Sequence, residues 1–302
     1  MQLIWAIAIF IALIYHLAGI PSKRPPNIPV KPSPPIVEVC DSIAGVPARE
    51  WNLLAGDDPF LRHEFLHALH ETGCASAATG WAPRFLILRE NGIFCGALPL
   101  YLKSHSYGEY VFDWAWADAY QRHGLTYYPK LLSAVPFTPV TGSRAMADTV
   151  ERRDLLIDAA LQLARETRAS SLHCLYPTDE QAAEMRERGL VLRHGVQFHW
   201  RNGGYADFDG FLATFNHDKR KKIKQERRRV RDAGIVFEWF TGAAITDALW
   251  IFFNRCYRET YRQHHSTPYL NLDFFRRLGG TPAEGVLMVL AELDGTPIAS
   301  AL

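Results

Sequence analysis

The chain has 302 residues, with 33 Lys and Arg against 32 Asp and Glu, so its formal charge is only +1. That balance, with 48% hydrophobic residues, excludes a disordered polyelectrolyte and a uniformly basic nucleic-acid binder, and leaves room for more than one packed core. The five cysteines (Cys40, Cys74, Cys95, Cys174 and Cys256) are odd in number and widely spaced, which excludes a disulfide framework and a CxxC metal site and fits a reducing compartment.

Leu3–Ile20 runs eighteen residues without Asp, Glu, Lys or Arg, the length that crosses a bilayer's hydrocarbon core. No Lys or Arg precedes it, as a secretory signal would require. Lys23, Arg24 and Lys31 follow it, which places the body of the protein in the cytoplasm, anchored to the inner face of the membrane. A mis-assigned start that adds a non-functional stretch is the alternative. Pro21–Pro35 holds seven prolines and reads as a semi-rigid linker, closing by residue 37.

From Ile36 to Trp200 the pattern predicts helix, helix, hairpin, aromatic loop, strand, long helix, strand, short helix, strand. The hairpin is Phe85–Leu88, Asn91-Gly92, Cys95-Gly96-Ala97, and both turn residues favour positive φ. The long helix spans Asp148–Arg168, with Leu155, Leu156, Ala159, Leu163 and Ala164 on one face. Ser170–Tyr176 reads as a buried strand, Asp179–Arg188 as a helix ended by Gly189, and Leu190–Trp200 as a further strand. The fold class is α/β, an α+β mixed sheet, with a first domain over residues 38–205.

The run from Ser104 to Arg144 carries the chemistry-bearing residues. It sets Tyr107, Tyr110, Trp114, Trp116, Tyr120, Tyr127 and Tyr128 among Glu109, Asp113, Asp118, His105 and His123. Amphipathic rings beside carboxylates suit a polar ligand with flat or sugar-like faces, and Asp113, Trp114, Trp116 and Tyr128 are expected to line a pocket. The alternative is core packing, because Phe112, Trp114 and Trp116 alternate like a strand. Gly142, Ser143 and Arg144 lead toward the long helix, where backbone N–H groups can hold a phosphate, with Arg144 near the pocket mouth.

Residues Lys219–Arg231 hold nine cations against one anion, Glu226, a local charge of +8 that the rest of the chain cancels. The stretch Phe215–Gly234 reads as one helix with Asp218 as N-cap and Gly234 just past its end, joining residues 206–234 into a connector. Phe215, Ile223 and Val230 give it a thin apolar stripe. Lys221, Lys222, Arg228 and Arg229 are candidates for a phosphate or nucleic-acid contact. A solvated connector helix is the alternative.

The sequence on either side of that helix repeats. Pro59–Leu69 and Pro268–Leu278 both read P-[FY]-L-x-x-[ED]-F-[LF]-x-x-L. Each precedes a hairpin, the second being Met288–Ala291, Asp294-Gly295, Ile298–Ser300. Two signals in the same order argue for a duplicated domain, the second over residues 235–302.

The runs HSYGEYVFDWAWADAY…GLTYYPKLLSAVPFTPVTGSR and FNHDKRKKIKQERRRVRDAGI together resemble the FemAB-like family of predicted N-acyltransferases, which belong to the GNAT superfamily and carry peptidoglycan biosynthesis/recognition labels. The resemblance covers residues 38–302 and implies tandem GNAT-like domains joined by the basic helix. It further implies an acyl or aminoacyl transfer from acyl-CoA or aminoacyl-tRNA to an amine acceptor such as a cell-wall precursor, with no tightly bound cofactor and no metal. Such chemistry needs a base for the amine proton, donors for the oxyanion and an acid for the leaving group. By residue type and clustering, Glu109, Asp113 and His123 are the candidate bases and Tyr127 or Tyr128 the acid. The binding candidates are Trp114, Trp116, Asp118, Gly142, Ser143, Arg144 and the four cations above. The competing readings are a non-catalytic module that binds an anionic ligand or RNA through the basic helix, and a membrane-tethered scaffold. Aligning Asn91-Gly92 with Asp294-Gly295 sets Leu302 opposite Pro99, so the second domain is expected to be truncated. This chain is then expected to be nearly inactive and prone to self-association along that edge.

Overall fold

The computed structural model describes residues 34–280 and 285–302. The apolar segment Leu3–Ile20 and most of the proline-rich linker lie outside the described residues. Among those described, no helix is long and apolar enough to cross a membrane.

The chain opens with β1 (Ile36–Cys40), then α1 (Ala48–Ala55) and α2 (His63–Glu71). Strands β2 (Trp81–Pro83), β3 (Phe85–Glu90), β4 (Ile93–Leu98) and β5 (Tyr101–Lys103) follow. Next come α3 (Trp114–Arg122), β6 (Lys130–Ser133), β7 (Met146–Ala147), α4 (Val150–Glu166), β8 (Leu172–Cys174) and α5 (Asp179–Glu187). The remainder is α6 (Phe208–Ala213), α7 (His217–Asp232), β9 (Ile235–Thr241), α8 (Asp247–Gln263), α9 (Leu272–Gly280), β10 (Leu287–Leu293) and β11 (Thr296–Ala301).

The strands make three sheets, ordered β1-β3-β4-β7, β2-β5-β6-β8 and β11-β10-β9. All pairs are antiparallel except β6 with β8, which α4 connects as a crossover. The expected α+β class with mixed sheets holds. The hairpin turns behave as their residues require: Asn91 and Gly92 have φ of 50° and 78°, and Asp294 and Gly295 have φ of 50° and 71°.

One core lies between the first sheet and α1–α2, around Trp51, Leu66, Leu69, Phe85 and Tyr101. Trp51 stacks on Phe94 and donates its Nε1–H to the Leu61 carbonyl at 2.8 Å. A second core covers the opposite face, where Leu86, Leu88 and Leu98 meet Leu156, Ile157 and Ala160 of α4. Helix α9 docks on α2 through Phe274 against Phe65, with Asn271 Nδ2 donating to the Thr72 carbonyl at 2.7 Å.

Several sequence expectations need correction. Phe112, Trp114 and Trp116 do not form a strand: α3 begins at Trp114, because WAWADAYQR is rich in good helix formers and Asp113 breaks the extended run. Leu190–Trp200 is irregular and exposed, since none of the described strands supplies it with a ladder. Strands β1, β2 and β5 were not legible, being short or edge-like. The basic helix forms as expected, but its N-cap is Asn216, whose Oδ1 accepts from the Lys219 N–H at 2.9 Å, while Asp218 lies inside the first turn. Phe215, Ile223 and Val230 are each half-buried, so the thin stripe is real, and Gly234 ends the helix at φ 77°.

Candidate functional site

Strands β5 and β6 pair so that Lys103 and Lys130 stand directly opposite one another, both fully buried. Like charges facing across a ladder repel, and buried cations need partners. The loop after β5 supplies them. Lys130 Nζ donates to Asp113 Oδ2 at 2.5 Å, Glu109 Oε2 at 2.8 Å and Ser106 Oγ at 2.8 Å. Lys103 sits 3.7 Å above the Trp81 ring and donates to the Tyr107 carbonyl at 3.3 Å. Lys130 thus holds both carboxylates, while Lys103 beside it contacts the Trp81 ring and the Tyr107 carbonyl instead.

Two tyrosines connect that network outward. Tyr127 OH donates to Asp113 Oδ2 at 2.7 Å, and Tyr128 OH pairs with Ser106 Oγ at 2.8 Å. This explains why Asp113, at the N-cap position of α3, makes no cap bond: its carboxylate is already engaged. Glu109 Oε1 and Asp113 Oδ1 are buried without a protein partner among the described residues, leaving acceptor capacity at the centre of the cluster.

The protonation states follow from burial and contacts. Burial raises the Glu109 carboxyl, and Lys130 offsets this only in part. Burial also works on Asp113, but the hydrogen bonds from Lys130 and Tyr127 outweigh it and hold that carboxyl below the usual range. Burial, opposed by Glu109 and assisted by Lys130, pulls Lys103 down to about 7. Burial, then the bond to Asp113, raises the Tyr127 hydroxyl. Carboxyls pushed apart in this way are the arrangement acid–base chemistry uses.

An open cleft of about 470 Å³ lies in front of the network. Trp114, Ala117, Asp118 and Gln121 form one wall at i, i+3, i+4 and i+7 along α3, and Leu125–Tyr128 form the other. It is shallow, closer to an open surface than to an enclosed cavity.

The structure gathers Glu109, Asp113, Tyr127 and Tyr128 into one network, and Trp114, Asp118, Tyr127 and Tyr128 around one cleft. Asp113 stands behind the cleft wall rather than on it, and Trp116 faces solvent. His123, at the C-cap of α3, is exposed and makes no contact with the network. Asp118 pairs with Arg122 at 2.7 Å.

Arg144 does not stand at a pocket mouth: it is fully buried, with Nε on the Leu175 carbonyl and Nη2 on the Val140 carbonyl. The backbone N–H groups expected to hold a phosphate are occupied, Gly142 by the Tyr176 carbonyl and Arg144 by Gln181 Oε1. Ser143 accepts from Gln181 Nε2 at 2.7 Å. The segment fixes α5 against β7, and Arg144 Nη1 stays buried without a hydrogen-bond partner among the described residues.

Lys103, Ser106 and Lys130 were missed by sequence reasoning. A signal existed in Lys130-Leu-Leu-Ser and Tyr-Leu-Lys103, lysines at the ends of short apolar strands flanking the acidic aromatic loop.

Helix α7 keeps its charges in water. Lys224 pairs with Asp209 at 2.8 Å, Arg231 with Asp232 at 3.3 Å and Lys222 with Glu226 at 3.9 Å. Arg227 lies over the Phe208 ring at 4.0 Å. Lys219, Arg220, Lys221, Arg228 and Arg229 have no ion-pair partner among the described residues, and Lys221, Lys222, Arg228 and Arg229 share the outward face.

Residues 42–302 match the family described as FemAB-like, peptidoglycan biosynthesis/recognition. Among solved structures, the crystal structure of FemX superposes with a TM-score of 0.42 at 14% identity, covering 82% of this chain and 57% of that one. The chain therefore spans little more than half the length of that structure. No curated protein matches.

Proposed function

The chain belongs to the FemAB-like family of peptidoglycan biosynthesis and recognition, and on that premise we propose that it is a transferase. It moves an acyl or aminoacyl group onto an amine of a peptidoglycan precursor. The supporting observation is that two hydrogen-bonded chains run from the Lys130 ammonium to the two tyrosines of the cleft wall. One passes through Asp113 to Tyr127 and the other through Ser106 to Tyr128.

The two chains end in opposite proton capacities. As the acceptor amine attacks the donor carbonyl, its proton passes to the Tyr127 oxygen while the Tyr127 proton passes to Asp113. The leaving oxygen or sulfur takes the Tyr128 proton, which Ser106 replaces from Lys130. Asp113 then holds a proton and Lys130 lacks one, and their direct contact returns it. The nucleophile has lost a proton, the leaving group has gained one, and the site is reset. Glu109 keeps the Lys130 ammonium seated throughout.

The donor in this proposal is acyl-CoA or aminoacyl-tRNA, held as a co-substrate. The exposed cations of α7 favour a polyanionic donor, and Lys221, Lys222, Arg228 and Arg229 are assigned to it. The doubled β-α-α-β-β order described below supports tandem GNAT-like domains. The same cations favour a second reading, a binding module without turnover.

The test is transfer of a labelled acyl or aminoacyl group from each donor to a peptidoglycan precursor, with Asp113→Asn and Tyr127→Phe as controls. Transfer that both substitutions reduce about 100-fold upholds the mechanism. Salt-sensitive tRNA binding with no transfer by any donor establishes the binding-module reading instead.

A further inference from the structure

We propose that the surface formed by residues 107–116 and 191–201 docks on an anionic lipid bilayer. The proposal goes beyond the transferase reading and does not depend on it.

Two stretches far apart in sequence meet here. In the first, Phe112 is 77% exposed, and Tyr107 and Trp116 are more than half exposed. In the second, Val191 is 94%, Val196 81% and Phe198 98% exposed, and Trp200 is largely so. Arg193 Nη2 donates to the Phe112 carbonyl at 3.4 Å, which joins the stretches, and Gln197 Nε2 donates to the Pro139 carbonyl at 3.0 Å, which ties the second to the body. Large apolar side chains held in water on two stretches joined through Arg193 mark an interaction surface, with Trp200 lying edge-on to Phe211 of α6 at its border.

Charge and composition select the occupant. From Leu190 to Gly204 there is no Asp or Glu, while Arg193, His194, His199 and Arg201 are present. The first stretch does contain Glu109 and Asp113, but both are buried against Lys130, so neither carboxylate reaches the surface. The exposed surface is therefore aromatic and aliphatic with a cationic fringe and no anion. Trp, Tyr and Phe beside Arg is the composition that settles at the headgroup level, where rings enter the acyl boundary and guanidinium groups stay with lipid phosphates. Trp114 belongs both to this run and to the cleft wall, so docking brings the cleft to the bilayer surface.

The test uses the full chain with vesicles of phosphatidylcholine alone and of phosphatidylcholine with one quarter phosphatidylglycerol. Partitioning is read by flotation and insertion by quenching of tryptophan fluorescence with brominated acyl chains. The full chain is expected to bind the anionic vesicles about tenfold more tightly than the neutral ones. Phe112→Ser combined with Phe198→Ser is expected to lower binding about tenfold and to reduce quenching, with thermal unfolding unchanged because both positions are exposed. Arg193→Glu is expected to weaken binding to the anionic vesicles only. A preference for anionic vesicles and a degree of quenching that the double substitution leaves both unchanged assign membrane affinity to another part of the chain, such as Leu3–Ile20, and overturn the proposal. So does a dimer that the double substitution splits while vesicle binding stays the same, since the surface then serves a second copy of the chain.

Discussion

The order β1-α1-α2-β3-β4 recurs as β9-α8-α9-β10-β11, with the same antiparallel pairing and an irregularity in each hairpin, at Leu88/Arg89 and at Ala291/Glu292. Aligned on their turns, Phe85 and Ile87 correspond to Met288 and Leu290, and all four are buried toward the helix pair. The opposite faces differ. Leu86 and Leu88 are buried under α4; their counterparts Val289 and Ala291 are half-buried and buried, while Phe237, Trp239 and Leu287 beside them on that face of the second unit are exposed. A β-α-α-β-β unit thus covers one sheet face by itself, and the second face needs a helix from further along the chain. The first unit has that helix, and it also has the loop that carries the lysine–carboxylate network. Burial on both sheet faces is therefore concentrated in the first region, together with the lysine–carboxylate network.

The largest expected effect follows directly. Trp51→Ala should cost about 3–5 kcal/mol through lost packing and an unpaired Leu61 carbonyl, while Trp239→Ala in the second sheet should stay within about 0.5 kcal/mol. Urea unfolding of both variants measures this, and equal costs would mean that the second sheet is covered after all.

Acid should attack the first region. Burial, then His67, holds His70 down to about 4, and burial, then Lys130, does the same for His173. Folded values below the ordinary imidazole value mean that the unfolded chain binds more protons between about pH 6.5 and 4. Stability is therefore full above that window and falls as pH drops through it, by up to about 3 kcal/mol for each histidine. A His70→Phe/His173→Phe variant that lost as much stability as the parent between pH 7 and 4 would assign the acid sensitivity elsewhere.

In turnover, Tyr128→Phe should reduce the rate about 100-fold with substrate affinity little changed. Tyr257→Phe removes a hydroxyl that accepts from the Leu270 N–H in the second region, and it should leave the rate alone. A matching loss in both variants would show that the chemistry is shared between the regions.

The smallest effect sharpens the likeness. Gly92→Ala and Gly295→Ala each place a Cβ at positive φ with open space around it, so each should cost about 1 kcal/mol. Differential scanning calorimetry should find the two equal; a clear inequality would show that the two turns are not equivalent.

The sequence alone determined the features that depend on local chemistry. Turn glycines, the 3.6-residue pattern of α4, the end of α7 at Gly234 and the duplicated proline-led helix were all legible, because each is set by residues within a turn or two of one another. Clustering also drew Glu109, Asp113, Tyr127 and Tyr128 together as candidates. Only the tertiary structure decided what those four do with one another. Their partner Lys130 lies on a strand buried beside Lys103, and only burial makes a lysine obligate a carboxylate. It also decided that Arg144 braces a loop, that His123 stands apart, and that Leu190–Trp200 joins none of the described strands. A strand or an anion site is completed by a neighbour distant in sequence, and alternation or residue type along one segment carries no information about whether that neighbour arrives.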